Sequence, residues 1–165
     1  MEYDLALINS IKDILIERDQ TLSIAESVTG GHLQAMFSAA TDASKFFQGG
    51  ITVYNIGQKC RHLNVEPVHA ENNNCVTQKV ASQMAVAVNK LFLSDYGIGI
   101  TGYAATVPQQ GIKELFAFYG IAKGNFLIRE EKIFCNKREG VEVQQDFCFQ
   151  VIQTFKKLLQ DTHVV

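Results

Sequence analysis

The stretch Thr21-Leu-Ser-Ile-Ala-Glu-Ser-Val-Thr-Gly-Gly-His32 decides how this 165-residue chain is read. Leu22, Ile24 and the small Ala25 suit a short buried strand. Glu26 and Ser27 then place two polar side chains at the end of that strand. Past Gly30 and Gly31, the apolar residues Leu33, Met36, Phe37 and Ala40 recur at helical spacing. A strand that turns directly into a glycine-started helix builds a polar pocket. The first helical N–H groups lack partners within the helix, and glycines let a ligand approach the backbone closely. Phosphates and developing oxyanions bind well there, with Ser27 at the rim. A plainer reading stands beside this one: Ser27 or Thr29 caps the helix, and the glycines are turn residues.

Working outward, residues 4–18 read as an amphipathic helix with Leu7, Ile8, Ile11, Ile14 and Leu15 on one face. After the central strand and helix comes a loop over 41–50. A second strand, rich in β-branched and aromatic residues, is predicted at 51–54, with a short helix near 57–63. Pro67 marks a turn, and the three asparagines at 72–74 another. Thr77 is placed to cap a long helix reaching about residue 93, with Val80, Met84, Ala87 and Leu91 on one face. A third strand spans 96–102. Strands at 115–122 and 126–134 flank Lys123-Gly-Asn125, a hairpin turn. The last helix is predicted over 138–160, with Phe147, Val151, Ile152, Phe155, Leu158 and Leu159 as its apolar stripe.

Gly97-Ile-Gly-Ile-Thr-Gly102 matches G-x-G-x-x-G, but it does not read as a dinucleotide fingerprint. That fingerprint needs its glycines in the turn between a strand and a helix, and here they fall within a strand that leads to more strand. Helices interspersed with strands, then a hairpin, predict a three-layer α/β/α sandwich around a mixed sheet of about five strands. The length and the lack of an internal repeat or linker suggest one domain over residues 1–165.

Composition excludes several functions. At 47% hydrophobic and 19% charged the chain can fill a core, and its net charge of −2 argues against nucleic-acid binding as the main task. No apolar run approaches membrane-spanning length. The four cysteines are widely spaced and read as reduced thiols of a cytoplasmic protein. The four histidines show no metal-ligand spacing, so no zinc site is expected.

Ala25-Glu-Ser-Val-Thr-Gly-Gly31 resembles the A-E-S-C-T-G-G text of the CinA C-terminal domain family, which includes nicotinamide-nucleotide amidohydrolases. Val28 stands where that text has cysteine. The likeness continues in order. Phe47-x-Gly-Gly-Ile-x-x-Tyr54 followed by Lys59 resembles F-x-G-G-x-x-x-Y-S-N-E-A-K, and Cys75-Val-Thr77 resembles A-V-S. Ile100-Thr-Gly-Tyr-Ala104 resembles V-T-G-I-A, and Asn136-Lys-Arg138 resembles G-D-R. The resemblance implies hydrolysis of nicotinamide mononucleotide to nicotinate mononucleotide and ammonia, with no metal or organic cofactor. It implies Ser27 as nucleophile, with Tyr54 and Lys59 as partners in proton transfer. Backbone at Thr29, Gly30 and Gly31 would hold the oxyanion or phosphate. Thr101, Gly102 and Arg138 complete the implied substrate site. A homodimer is expected by the same resemblance, and the expected partner is a small-molecule pyridine nucleotide.

The chain departs from the family text after Thr101-Gly102, where I-A-G-P-x-G-G has become Tyr103-Ala-Ala-Thr-Val-Pro-Gln-Gln-Gly111. Ala105 replaces a glycine, and its Cβ would reshape a phosphate pocket. Glu142 stands where a second arginine is expected, which replaces attraction for an anion with repulsion. Two other readings therefore stand beside the amidohydrolase: a binding or regulatory module without turnover, and a serine hydrolase of changed substrate.

Overall fold

The computed structural model describes residues 4–137 and 140–161. Helix α1 (Leu5–Glu17) buries Ile8, Ile11 and Leu15, and the Asp4 carboxylate accepts from the Leu7 N–H to start it. Strand β1 (Leu22–Glu26) follows and is buried along its whole length. Next come α2 (His32–Ser38), β2 (Phe47–Thr52), α3 (Ile56–Leu63), α4 (Pro67–Asn72) and α5 (Gln78–Phe92). Strand β3 (Tyr96–Tyr103), the hairpin β4 (Leu115–Lys123) and β5 (Phe126–Cys135), and α6 (Val141–Gln160) complete the order. Among the described residues no helix is long and apolar enough to cross a membrane.

The five strands form one mixed sheet in the order β2-β1-β3-β4-β5. The β2-β1-β3 part is parallel, and β3, β4 and β5 pair antiparallel. Helices α1, α2 and α6 bring Ile11, Leu33, Phe37, Phe147 and Phe155 to one face. Helices α3, α4 and α5 bring Leu63, Ala70, Val80, Met84 and Val88 to the other. The expected three-layer α/β/α sandwich is thus the observed one. Each large aliphatic side chain buried this way contributes about 1.5–3 kcal/mol.

Gly97 and Gly99 explain the motif that failed as a nucleotide fingerprint. A Cβ on Gly97 would run into the carbonyl oxygen of Ala85, and one on Gly99 into that of Ala81. These glycines let α5 lie directly on β3.

The connection from β1 to β2 passes through α2 on one face. The connection from β2 to β3 passes through α3, α4 and α5 on the other. Outside the carboxyl ends of β1, β2 and β3 such a reversal leaves a crevice. Ser27, Val53 and Thr101 all lie at that edge, because Glu26 is in register with both Thr52 and Ile100.

Two expectations are corrected. The second strand lies at Phe47–Thr52 rather than 51–54. It is an edge strand with two glycines, so its sequence lacks the dense β-branched signature of a central strand. Pro67 opens α4 rather than marking a bare turn. It sits in the first turn, where its missing N–H costs nothing, and the Glu66 carboxylate accepts from the Val68 and His69 amides. The last described helix begins at Val141.

Candidate active site

The turn after β1 is built by its own backbone. The Ser27 amide donates to Ile100 O at 3.1 Å, and the Gly30 amide donates to Ser27 O at 3.1 Å, closing a four-residue turn. Gly30 and Gly31 follow at φ 61° and 103°, left-handed values that favour glycine. Glu26 is fully buried and occupies the start of α2. Its Oε2 accepts from the amides of Gly31 at 3.2 Å and Leu33 at 3.0 Å, and its Oε1 accepts from Gln34 at 2.8 Å.

That arrangement overturns two expectations. Neither Ser27 nor Thr29 caps α2 with its side chain, because the carboxylate of Glu26 already satisfies those donors. Nor do Gly30 and Gly31 offer open amides: the first is spent on Ser27 O and the second on Glu26. Thr29, Gly30 and Gly31 also do not line the cleft described below. Among the described residues, the amides of Val28 and Thr29 are the ones near Ser27 with no acceptor. The Thr29 hydroxyl is buried and likewise unpartnered.

Lys59 comes from α3, whose start is fixed by Asn55 Oδ1 accepting from the Gln58 amide at 3.0 Å. The lysine is 1% exposed. Its Nζ reaches Ser27 Oγ at 2.9 Å and Val53 O at 3.0 Å. Among the described residues no carboxylate pairs with it. Burial therefore lowers its pKa below the usual lysine value of 10.5, while the thiols of Cys75 and Cys60 oppose that shift. Burial also pushes the Cys75 thiol upward, which favours its neutral form. A buried amine within hydrogen-bond reach of a hydroxyl is suited to take its proton.

Ser27 and Lys59 line a cleft of about 650 Å³. Val28, Asn55, Cys75, Gly102, Tyr103 and Gln144 are among its other walls. Tyr54 stands at the rim, 72% exposed. Among the described residues its hydroxyl makes no hydrogen bond to Ser27 or Lys59, and the orienting contact on Lys59 comes from the Val53 carbonyl instead. Thr101 is buried in the wall, and its hydroxyl donates to Cys75 O at 2.9 Å. Asn74 and Cys75 both hold left-handed φ, 49° and 60°. For non-glycine residues this is backbone strain, and strain of this kind gathers at functional sites. Asn74 Nδ2 donates to the Tyr103 hydroxyl at 2.9 Å, which ties the strained turn to the loop after β3.

Arg138 lies outside the described residues. Glu142 lines a separate groove with Asp4, Lys137 and Asp146, so the expected repulsion of an anion in the Ser27 cleft is not built from its position. Among the described residues, Lys59 and Glu71 are the charged ones that line the cleft. A larger groove of about 860 Å³ follows the outer face of α5, but it holds neither Ser27 nor Lys59. No group of three metal-binding side chains gathers among the described residues.

Gln144 and the capping role of Glu26 were not legible from spacing. Gln144 Nε2 donates to Val28 O at 2.8 Å across 116 residues of sequence, a contact that only the tertiary fold creates. Glu26 did carry a signal, an acidic residue at a strand end just ahead of an uncapped helix.

The profile of the CinA C-terminal domain family matches residues 4–159. The chain belongs to the CinA C-terminal domain family. A CinA-like protein of Microcystis aeruginosa is 31% identical over 152 residues, covering 90% of this chain and 36% of that protein. A putative competence-damage inducible protein of Bacillus subtilis is 32% identical over 138 residues, covering 84% of this chain and 33% of that one. The chain thus spans about a third of the length of these curated CinA relatives. Among solved structures, the competence damage-inducible protein A of Klebsiella pneumoniae superposes with a TM-score of 0.90 at 20% identity, covering 98% of this chain and all of that one. A CinA superfamily protein of Escherichia coli gives 0.82 at 24% identity, covering 97% and 93%. At these identities the superpositions establish the shared CinA fold.

Proposed function

We propose that this CinA domain hydrolyses the carboxamide of nicotinamide mononucleotide, releasing ammonia and nicotinate mononucleotide. The observation that carries the proposal is the buried amine of Lys59, 2.9 Å from Ser27 Oγ and with no carboxylate partner among the described residues. A serine hydroxyl attacks an amide only with a base beside it, and a lysine serves as base only when its neutral form is accessible. In the first half-reaction Lys59 takes the hydroxyl proton as Ser27 Oγ bonds to the amide carbon. The C–N bond then breaks, and Lys59 returns the proton to the departing nitrogen, which leaves as ammonia. In the second, water gives a proton to Lys59 and its oxygen bonds to the acyl carbon. The Ser27 ester bond breaks, Ser27 recovers its proton from Lys59, and the acid leaves. Val28 lines the cleft and its amide has no acceptor among the described residues, which makes it the backbone donor available for the oxyanion in both halves.

Ammonia release from nicotinamide mononucleotide by the purified protein and by Ser27→Ala tests the proposal. Release that is abolished in the variant is expected. Release that continues unchanged would remove Ser27 from the chemistry.

A second reading, a serine hydrolase acting on a different amide, rests on the charges of the cleft. Its described lining carries Glu71 besides Lys59, which favours an uncharged or cationic substrate group over a phosphate. Turnover of nicotinamide riboside at the same rate as its phosphate would favour this reading.

A further inference from the structure

We infer that Tyr103 is a substrate-binding residue, a fixed aromatic wall on which the flat, cationic pyridinium ring of the substrate stacks while its carboxamide lies at Ser27. The inference rests on the amidohydrolase reading and adds a residue that selects the ring. Strand β3 sets its place. Side chains two apart on a strand share a face. A Cβ on Gly97 or Gly99 would point at α5, so Thr101 and Tyr103 lie on that same side of the sheet. Helix α3 packs there too, and from it Lys59 reaches Ser27. Glu26 is in register with Ile100, so Ser27 stands level with Thr101. Tyr103 is two residues farther along, about 7 Å at the rise of a strand. A six-membered ring attached to the carbon that Ser27 attacks covers that interval.

The Tyr103 side chain is held from two sides. Asn74 Nδ2 donates to its hydroxyl at 2.9 Å. The turn that carries Asn74 is itself fixed to β3, because the Thr101 hydroxyl donates to Cys75 O at 2.9 Å. Across the sheet Tyr103 is in register with Phe116, and the two rings meet edge to face, with centroids 5.5 Å apart at 70°. One neighbouring ring covers at most one face of another. Phe116 is not a wall of the cleft, whereas Tyr103 is, and Tyr103 is only half-buried. The uncovered face is therefore the one offered to the cleft. A ring fixed in advance loses little rotamer freedom when a ligand arrives. Tyr54, the other aromatic among the described walls, stands 72% exposed at the rim. Glu71, the acidic side chain of the described lining, adds a field that favours a cation on the ring.

The test is the affinity of nicotinamide mononucleotide for Ser27→Ala, in which turnover is blocked, measured by isothermal titration calorimetry with and without Tyr103→Ile. Isoleucine suits a strand and removes the ring. A cation over an aromatic face is typically worth about 2–30-fold in affinity, so Kd should rise by about that factor. The reduced nucleotide, whose dihydropyridine ring carries no positive charge, should lose less from the same change. Tyr103→Phe, which keeps the ring, should bind more tightly than Tyr103→Ile. Proton chemical shifts of the bound nucleotide give the same reading where the isoleucine variant does not fold. The pyridinium protons should move upfield on binding to Ser27→Ala, and still do so when Tyr54→Leu is added. Equal affinity in a folded Tyr103→Ile protein, or an upfield shift that is absent or lost with Tyr54→Leu, would overturn the inference while leaving the amidohydrolase reading. Binding that depends on Tyr103 in a protein whose wild type releases no ammonia would end the hydrolase reading and keep the stacking role. Failure to bind either form of the nucleotide would overturn both.

Discussion

Replacing Glu26 with glutamine changes one oxygen to an amino group at a fully buried position. The carboxylate accepts three backbone N–H bonds, two on Oε2 from Gly31 and Leu33 and one on Oε1 from Gln34. The best orientation of the glutamine keeps its oxygen on the first two and turns its NH₂ toward the Gln34 N–H. One bond to a charged acceptor is then lost and replaced by two facing donors. A hydrogen bond to a charged group is worth about 1.5–3 kcal/mol. For a domain of this size about 2–4 °C of Tm accompanies each kcal/mol, so Glu26→Gln should melt about 3–12 °C below wild type. Thermal unfolding followed by circular dichroism reads this directly. Because the same contacts hold the residue next to Ser27, ammonia release should fall as well at a temperature where the variant is fully folded. A Glu26→Gln protein with the wild-type melting temperature would refute the claim that this carboxylate anchors the turn.

Lys59→Met should be more stable than wild type, and most so at low pH. Burial holds the folded lysine pKa below 10.5, so between that lowered value and 10.5 the unfolded chain binds a proton that the folded one does not. Wild-type stability therefore rises with pH through this window, and the advantage of methionine shrinks; urea unfolding at several pH values measures it. Gly99→Ala should be destabilised by about 1–3 kcal/mol or more, because its methyl meets the Ala81 carbonyl and α5 must lift from β3; the urea midpoint reports it. Tyr54→Phe should leave kcat unchanged, since the exposed Tyr54 hydroxyl makes no hydrogen bond to Ser27 or Lys59. A collapse of kcat in that variant would restore tyrosine to the proton path.

The layers of the fold were legible because each long element carries its own period. The stripe of α6 and the apolar run of β3 needed no tertiary information, and Thr77 marked the start of α5 through its side chain, which accepts from the Val80 amide. Strand β2 was misplaced because an edge strand can hold glycines that a central strand avoids. Helix α4 was missed because proline ends helices more visibly than it begins them. At the site, Ser27 and Lys59 could be named from the family's text, but their contact could not be derived from spacing. They lie 32 residues apart, and it is the register of β1 with β2 that brings Val53 and α3 beside the nucleophile. The glycine amides looked open because the sequence does not show that a strand-end glutamate turns back to fill them. Gln144 left no local trace at all, since its partner is a backbone carbonyl, and any residue type supplies one.

The measurement that tests the Ser27–Lys59 pair most directly is the rate of ammonia release from nicotinamide mononucleotide as a function of pH, for wild type and Lys59→Met. A lysine acting as base must be neutral, so the wild-type rate should climb with pH through a midpoint below 10.5. Lys59→Met should show neither the rate nor the rising limb. A rising limb that survives in Lys59→Met, or a wild-type rate indifferent to pH below 10.5, would contradict the pairing.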